Sequence, residues 1–396
     1  MQKRIKHLSL FSGCGGMDIG FRGDFTANRK FFNEKEILNT KVINDLWTHC
    51  PRTLIDTVFA NDIKISSRKF WERNLIPKQP SCKFHHGSIV DLVKEHKQTN
   101  NIFPKEIDIV TGGFPCQDFS ISGLQKGFHS HKSHKNDFNV TDISETRGML
   151  YSWMKKVIEI TNPKLFVAEN VKGLVDLKDV FNTVKKDFSS INNGFSVFSK
   201  IVFAPNYGIP QSRKRIFFIG MNNDFINNNA INLNDVNFFP EESFSLNNDL
   251  FSGSYDYPKS FEFFHELKEP DISDDLSQAS YSKAKLTKGQ GNSEINLNGF
   301  APTIRSEHHG NIEFRYLGKE FGGKNIKNNE IQRRLTVREC ARIQTFPDDL
   351  EFVFNAEDRR NNLSASEGYK LIGDAVPPLL AYKIALRLQK IITQFD

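Results

Sequence analysis

The sequence predicts an α/β domain built on a mostly parallel sheet, followed by a smaller and less regular segment, on three observations. Over the first 220 residues, short apolar runs alternate with amphipathic stretches, the pattern of a βα-repeating domain. Several of those runs end in glycines or polar side chains, as strands do at the carboxyl edge of such a sheet. From about residue 221 the alternation gives way to asparagine runs such as 227–229 and to clustered acids.

The expected strands are 7–11, 57–60, 107–111, 165–168 and 215–220, each a short run rich in β-branched or large apolar residues. Helices are expected around 16–21, 66–73, 89–97, 148–160 and 175–187, where apolar positions recur at helical spacing. Two stretches, 22–56 and 127–146, interrupt the pattern and are read as surface excursions; the second carries His129, His131 and His134. A metal site there is not favoured. Helical patterning returns at 336–344 and again at 379–392.

With 396 residues, the chain has room for two domains or one enlarged one. Charged residues at 25% and apolar ones at 38% exclude a wholly disordered or fibrous chain. The five cysteines are widely spaced with no C-x-x-C pair, which argues against a disulfide framework or a zinc site and for a reducing compartment. No apolar run suits a secretion signal or a membrane span, so a cytoplasmic protein is expected.

Three strand ends carry candidate chemistry. Leu8-Ser9-Leu10-Phe11-Ser12-Gly13-Cys14-Gly15-Gly16 places glycines between a strand and a helix, where backbone can approach a ligand closely. The spacing is not that of a dinucleotide fingerprint, and a plain turn would look the same. Asp62 ends the next strand, either to accept hydrogen bonds from ribose hydroxyls or to cap a helix.

The strongest motif is Asp108-Ile109-Val110-Thr111-Gly112-Gly113-Phe114-Pro115-Cys116-Gln117, which presents the Cys116 thiol at a strand's carboxyl end beside polar neighbours. That setting favours a nucleophile over a packing cysteine. Val167-Ala168-Glu169-Asn170-Val171 again ends a strand in polar groups, with a carboxyl that shielding from water would keep partly protonated. In Gln211-Ser212-Arg213-Lys214-Arg215, strand alternation would put Gln211, Arg213 and Arg215 on one face, at a site or along a solvated edge.

These residues, in this order, resemble the bacterial DNA cytosine-5 methyltransferases of restriction–modification systems. Phe11 to Gly16 resembles the family's cofactor loop, Phe114-Pro115-Cys116-Gln117 its nucleophile motif, and Glu169-Asn170-Val171 its acidic motif. Gln211 to Arg215 resembles its basic motif. Arg334-Leu335-Thr336-Val337-Arg338-Glu339-Cys340-Ala341-Arg342-Ile343-Gln344 and Gly373-Asp374-Ala375-Val376-Pro377-Pro378 resemble its last two.

The resemblance implies a Rossmann-like, S-adenosylmethionine-dependent methyltransferase domain over 1–224 and 331–396, with a small target-recognition domain over 225–330. It implies double-stranded DNA as partner, a flipped-out cytosine as acceptor, a functionally paired restriction endonuclease and a monomer at the nucleoid. Cys116, Glu169, Arg213 and Arg215 would be catalytic. Phe11, Gly13, Gly15, Asp62, Ile63, Ser88, Ile89, Pro115, Leu150, Asp374, Ala375 and Val376 would hold the cofactor.

Gln117, Ser120, Ser122, Lys126, Gln211 and Arg305 would meet DNA, several of them from a mobile loop that follows the nucleophile. Ser9, Ser88 and Asp374 depart from the family's commonest residues, which are an acid, an acid and an Asn. Alternatives are a related tRNA cytosine methyltransferase, disfavoured by Phe114 and the separate variable region, and a catalytically silent DNA-binding relative, disfavoured by the intact motifs. A nicotinamide oxidoreductase is disfavoured by the glycine spacing.

The net charge of +6 hides opposed segments. Residues 1–220 hold 33 basic and 21 acidic side chains, 221–280 hold 2 and 12, and 281–345 hold 12 and 6. Residues 1–220 and 281–345 are therefore expected to wall a DNA cleft, with 221–280 turned away from phosphate.

Overall fold

A computed structural model describes residues 3–115, 149–245, 255–284, 294–306, 312–316 and 332–395. Among these described residues, seven strands form the central sheet: β1 (Ile5–Leu10), β2 (Ile55–Asp62), β3 (Lys83–His86), β4 (Ile109–Gly113), β5 (Leu165–Val171), β6 (Phe195–Phe203) and β7 (Lys214–Asn222). Their order is β3-β2-β1-β4-β5-β7-β6, with β7 antiparallel to both its neighbours and the other four pairings parallel. The order turns back between β1 and β4, which opens a crevice at their carboxyl ends, where doubly wound sheets bind ligands.

Both faces of the sheet are covered, which is why its strands read as continuous apolar runs. In β7, Ile216 and Phe218 face one core while Phe217, Ile219 and Met221 face the other; in β5, Phe166 and Ala168 oppose Leu165 and Val167 in the same way. One face packs on the helices α3 (Ile89–Thr99), α4 (Leu150–Thr161) and α5 (Lys178–Ser189), through Val93, Met154, Val157 and Phe188. The other packs on α1 (Gly16–Arg22), α2 (Ile65–Phe70), α6 (Val337–Ile343), α7 (Ala365–Asp374) and α8 (Pro378–Phe395). A Cβ on Gly20 would lie 2.3 Å from the Pro378 carbonyl, so only glycine lets α1 and α8 approach so closely. Among the described residues, no helix is long and apolar enough to cross a membrane.

Stretch 22–56 is not the surface excursion its mixed polarity suggested. It folds into a three-stranded antiparallel sheet of Phe25–Asn28, Lys41–Val42 and Trp47–Cys50, in which Phe25, Ala27, Phe31 and Cys50 are buried. Its apolar residues are spaced one per side of a short strand and are easily mistaken for loop. Stretch 127–146 lies outside the described residues. β3, β6 and α7 were not expected from the sequence: β3 is short and mixed in polarity, and β6 is half-exposed along most of its length.

The described parts of 225–330 hold only short elements, including the antiparallel pair Phe314–Tyr316 with Gln332–Arg334 and the helical turns Ser260–Phe263, Pro270–Ile272 and Leu276–Ala279. They are fastened by apolar side chains such as Phe263, Phe264, Ile304 and Ile312, which join the core shared with the sheet, and by buried ion pairs. Glu339 of α6 is fully buried between Arg315 at 3.0 Å and Arg333 at 2.7 Å, and Glu269 meets both arginines at 3.3 and 3.2 Å. Burial opposes ionisation of Glu339, but Arg315 and Arg333 outweigh it and hold the carboxyl down to about 2.

Candidate active site

The turn after β1 carries the backbone through the left-handed region at Phe11, Gly13 and Gly15, with φ of 51, 54 and 70°. Nothing lies within 4 Å of where a Cβ on Gly13 would be, so the turn leaves an open cradle in the crevice. Asp62, at the end of β2, accepts from the Gly13 amide at 2.8 Å through one carboxylate oxygen and from the Lys64 amide at 2.8 Å through the other. Each oxygen keeps a second lone pair for a further donor, which fits vicinal hydroxyls. Asp62 thus both orders the local turns and remains able to bind.

The far end of the chain closes on this cradle. Lys64 pairs with Asp374 at 2.6 Å, and a Cβ on Gly16 would stand 2.3 Å from the Val376 carbonyl. Ala375 and Val376 are buried there, as are Ile89 and Leu150, while Ile63 is 43% exposed at the crevice mouth. Ser88 is buried and its hydroxyl accepts from the Val90 amide at 3.2 Å, capping α3. That leaves its proton to donate. Pro115 is half-buried at the end of the described β4 segment.

Beneath the glycine turn lies a buried polar cluster. His7 meets Thr57 Oγ1 at 2.9 Å and Thr111 Oγ1 at 2.7 Å, while Asp18 accepts from Ser9 at 3.0 Å and from Thr57 at 3.3 Å. Because Thr57 spends its proton on Asp18, it must accept from His7 Nδ1–H, and Nε2 then accepts from Thr111. This is a neutral imidazole. Burial agrees, pushing His7 down to about 3 and Asp18 up to about 7. Ser9, standing where the family commonly has an acid, is the partner of an acid supplied by α1.

The second half of the site forms across β4, β5 and β7. Gly113 is paired in register with Glu169, and Asn170 Nδ2 donates to the Phe114 carbonyl at 3.1 Å, fixing the chain two residues before Cys116. Cys116 itself lies outside the described residues, as do Gln117, Ser120, Ser122 and Lys126. Glu169 is buried, with Arg215 Nε 3.0 Å from its Oε1. Burial raises the carboxyl's pKa, and the opposing pull of Arg215 and Arg213 does not cancel the rise. The arrangement is a shielded acid beside a fixed cation, suited to giving a proton to a ring nitrogen.

Gln211 and Arg213 do not share Arg215's place, because β7 begins only at Lys214 and strand alternation does not reach back to them. Gln211 was expected at DNA but is fully buried: its amide donates to Gln344 at 2.5 Å and accepts from the Ile304 amide at 3.0 Å. Arg213, expected to support Arg215 in catalysis, is 2% exposed. It donates to the carbonyls of Ile304 at 3.1 Å, Gly373 at 3.2 Å and Ala375 at 2.8 Å. Gln344 completes the knot by donating to Ala375 O at 2.6 Å. Together these residues tie segment 301–305 to the 373–375 turn. Arg213 thus spends its hydrogen bonds on backbone carbonyls, while its charge reaches Glu169 and opposes the rise of that carboxyl.

Asn170 and Gln344 stood inside quoted motifs without a role of their own, and Lys64 was not noted; all three act on partners more than 30 residues away, which only the fold reveals. Arg305 is partly exposed, 3.4 Å from Glu313. The charge expectation also changes. Many arginines of 281–345 are spent inside the protein, and acids of 221–280 are their partners: Glu269 takes Arg315 and Arg333, and Asp275 takes Arg338 at 2.6 Å. Glu269 and Asp275 thus supply counter-charge to buried arginines, as a buried charge requires, while Glu242, Glu262 and Asp274 pair with lysines outside 281–345.

A family model described as C-5 cytosine-specific DNA methylase matches residues 5–390. Among curated proteins, the chain is 27% identical to the type II methyltransferase M.NgoPII of Neisseria gonorrhoeae over 98% of this chain and 96% of that one. It is 28% identical to the type II methyltransferase M.BsuRI of Bacillus subtilis over 96% and 78%. Among solved structures, the Entamoeba histolytica methyltransferase EhMeth superposes with a TM-score of 0.58 at 16% identity, over 99% of each chain. The S. pombe Dnmt2 methyltransferase gives 0.57 at 15%, over 98% of this chain and 99% of that one.

Proposed function

Because the chain belongs to the C-5 cytosine-specific DNA methylase family, we propose that it methylates C5 of a cytosine flipped out of duplex DNA, with S-adenosylmethionine as donor and Cys116 as covalent nucleophile. We propose further that it serves as the modification half of a restriction–modification pair, the role suggested by its type II methyltransferase relatives. One observation carries the chemistry: a buried Glu169, ion-paired to Arg215, stands in register with Gly113, three residues before Cys116.

In this reading residues 1–224 and 331–396 bind the cofactor and residues 225–330 read DNA. Asp62 holds the ribose hydroxyls; Phe11, Ile63, Ser88, Ile89, Pro115 and Leu150 border the adenine. Gly13, Gly15 and the turn Asp374-Ala375-Val376 receive the methionine end. The open cradle at Gly13 and the spare lone pairs of Asp62 fit such a ligand. When bound, S-adenosylmethionine supplies an electrophilic methyl group.

Cytosine C5 is too weak a nucleophile to take that methyl unaided. The Cys116 thiolate adds to C6, which requires the base outside the stack, and the C5–C6 π pair moves toward C5. Glu169 gives its proton to N3 as negative charge develops on the ring, and Arg215 donates to O2. After methylation the C5 proton is lost, the electron pair left on C5 expels the thiolate, and Glu169 recovers its proton from N3. Gln117, Ser120, Ser122, Lys126 and Arg305 would hold the DNA around the vacated position.

Duplex DNA with 5-fluorocytosine at the target tests this. Fluorine cannot leave as a cation, so wild type with donor should form a stable covalent adduct. Cys116→Ala should form none; equal trapping by that variant would refute the nucleophile.

A further inference from the structure

The sheet of residues 25–50 lies between the cofactor-binding core and the segment 260–266, and it grips that segment at three points. Phe31 stacks on Phe263, with ring centroids 4.5 Å apart and planes within 10°, both rings buried. Lys30 lies 3.5 Å from Glu262. The Trp47 indole N–H donates to Glu266 Oε2 at 2.9 Å.

The same segment is also held by α6. Arg342, at the end of α6, donates to the carbonyls of Phe263 at 3.0 Å and His265 at 2.7 Å, and its guanidinium lies over the Trp47 ring at 5.1 Å. Asp348 fixes that guanidinium through both carboxylate oxygens. Glu266, the residue Trp47 holds, has φ of 65°, a left-handed conformation that a non-glycine residue keeps only when its surroundings impose it. One residue pair further on, the Arg315 guanidinium covers the Phe264 ring at 4.7 Å, and Arg315 belongs to the strand pair Phe314–Tyr316 with Gln332–Arg334. A continuous path of contacts therefore runs from the inserted sheet through 263–266 into the region assigned above to DNA reading.

We propose that the inserted sheet is a positioning element for target recognition, with Trp47 as its positioning residue, setting where the recognition region stands relative to the catalytic crevice. The proposal rests on the reading of 225–330 as the DNA-reading region. Base-edge hydrogen bonds tolerate little misplacement, and an error of about 1 Å at a reacting or reading group is worth on the order of 100-fold. Loosening the seat should therefore damage discrimination between DNA sequences before it damages the chemistry.

The test compares wild type, Trp47→Phe, Glu266→Ala and Glu266→Gln in methyl transfer to a target duplex and to duplexes with one changed base pair. The first two variants lose the indole–carboxylate bond, and Gln keeps an acceptor. Trp47→Phe and Glu266→Ala should raise KM for the target duplex and lower the ratio of kcat/KM between target and altered duplexes about five- to tenfold. Cofactor KM and kcat should stay within about twofold, and Glu266→Gln should behave as wild type. Amide hydrogen exchange should quicken in 260–269 and not in the central strands. Faster exchange with an unchanged ratio would overturn the proposal, as would equal loss of kcat on every duplex. If wild type itself transfers no methyl group to DNA, the proposed function fails instead, and unchanged exchange in Trp47→Phe would then refute the brace separately.

Discussion

Arg215 Nε stands 3.0 Å from Glu169 Oε1, an ion pair made diagonally across two antiparallel strands, since Arg215 faces Val171 in register and Glu169 faces Phe217. Both side chains are shielded from water, so the pair is a fixed local field rather than a surface contact. Its meaning differs for the two partners. Arg215 is oriented by it, and Glu169 is kept from ionising as late as burial alone would dictate.

Glu169→Gln should reduce methyl transfer by on the order of 10²–10⁴-fold, since the amide can donate to N3 but cannot pass a proton. Burial raises the Glu169 pKa, so its cost to stability is absent below the ordinary carboxyl range and grows as pH rises through the raised value. Glu169→Gln should accordingly gain thermal stability over wild type on the alkaline side and lose that gain in acid. Melting curves across pH check the sign.

Arg213→Ala and Arg215→Ala should separate. Losing Arg213 removes its hydrogen bonds to the buried carbonyls of Ile304 and Gly373 and leaves Ala375 with Gln344 alone, a cost on the order of 3 kcal/mol. The melting temperature should fall and cofactor binding weaken as the 373–375 turn loosens. Arg215→Ala should leave melting nearly unchanged, because a neutral Glu169 carboxyl needs no counter-charge, while kcat drops. Calorimetry beside single-turnover methylation distinguishes them; equal melting temperatures would refute the tether.

Asp18→Asn should stabilise the protein at pH 8 more than at pH 5. Burial lifts Asp18 to about 7, so its contribution is fully present below the ordinary carboxyl pKa and is lost as pH climbs through about 7. His7 runs the other way: held down to about 3, it favours the fold above its ordinary pKa and loses that contribution as pH falls toward 3. The neighbouring hydroxyls of Ser9 and Thr57 can accept from an Asn amide, so the substitution is tolerated locally.

Glu339→Gln should destabilise at neutral pH and not in strong acid. Arg315 and Arg333 hold Glu339 down to about 2, so its contribution is present above the ordinary carboxyl pKa and is lost as pH falls toward 2. At pH 7 the variant leaves two buried guanidinium groups short of a counter-charge, at about 3–5 kcal/mol. Asp275→Lys should fail similarly through Arg338. Chemical denaturation at pH 7 and pH 3 gives the comparison.

Apolar runs and motif order were enough to place most of the sheet and the candidate chemistry at its strand ends. Strands buried on both faces must be continuous apolar runs, and β1, β2, β4, β5 and β7 were each legible for that reason, together with the glycines, Asp62, Glu169 and Arg215 at their ends. Spacing of two residues was a poor guide to Arg213 and Gln211, because they precede the strand whose alternation was applied to them. The tertiary structure alone decided what pairs with what: Lys64 with Asp374, Gln211 with Gln344, Trp47 with Glu266, and the acids of 221–280 with the arginines that follow. Periodicity records which face of an element is buried. A partner far along the chain leaves no such record, since a buried charge or amide needs only some complementary group brought near, and the fold chooses which.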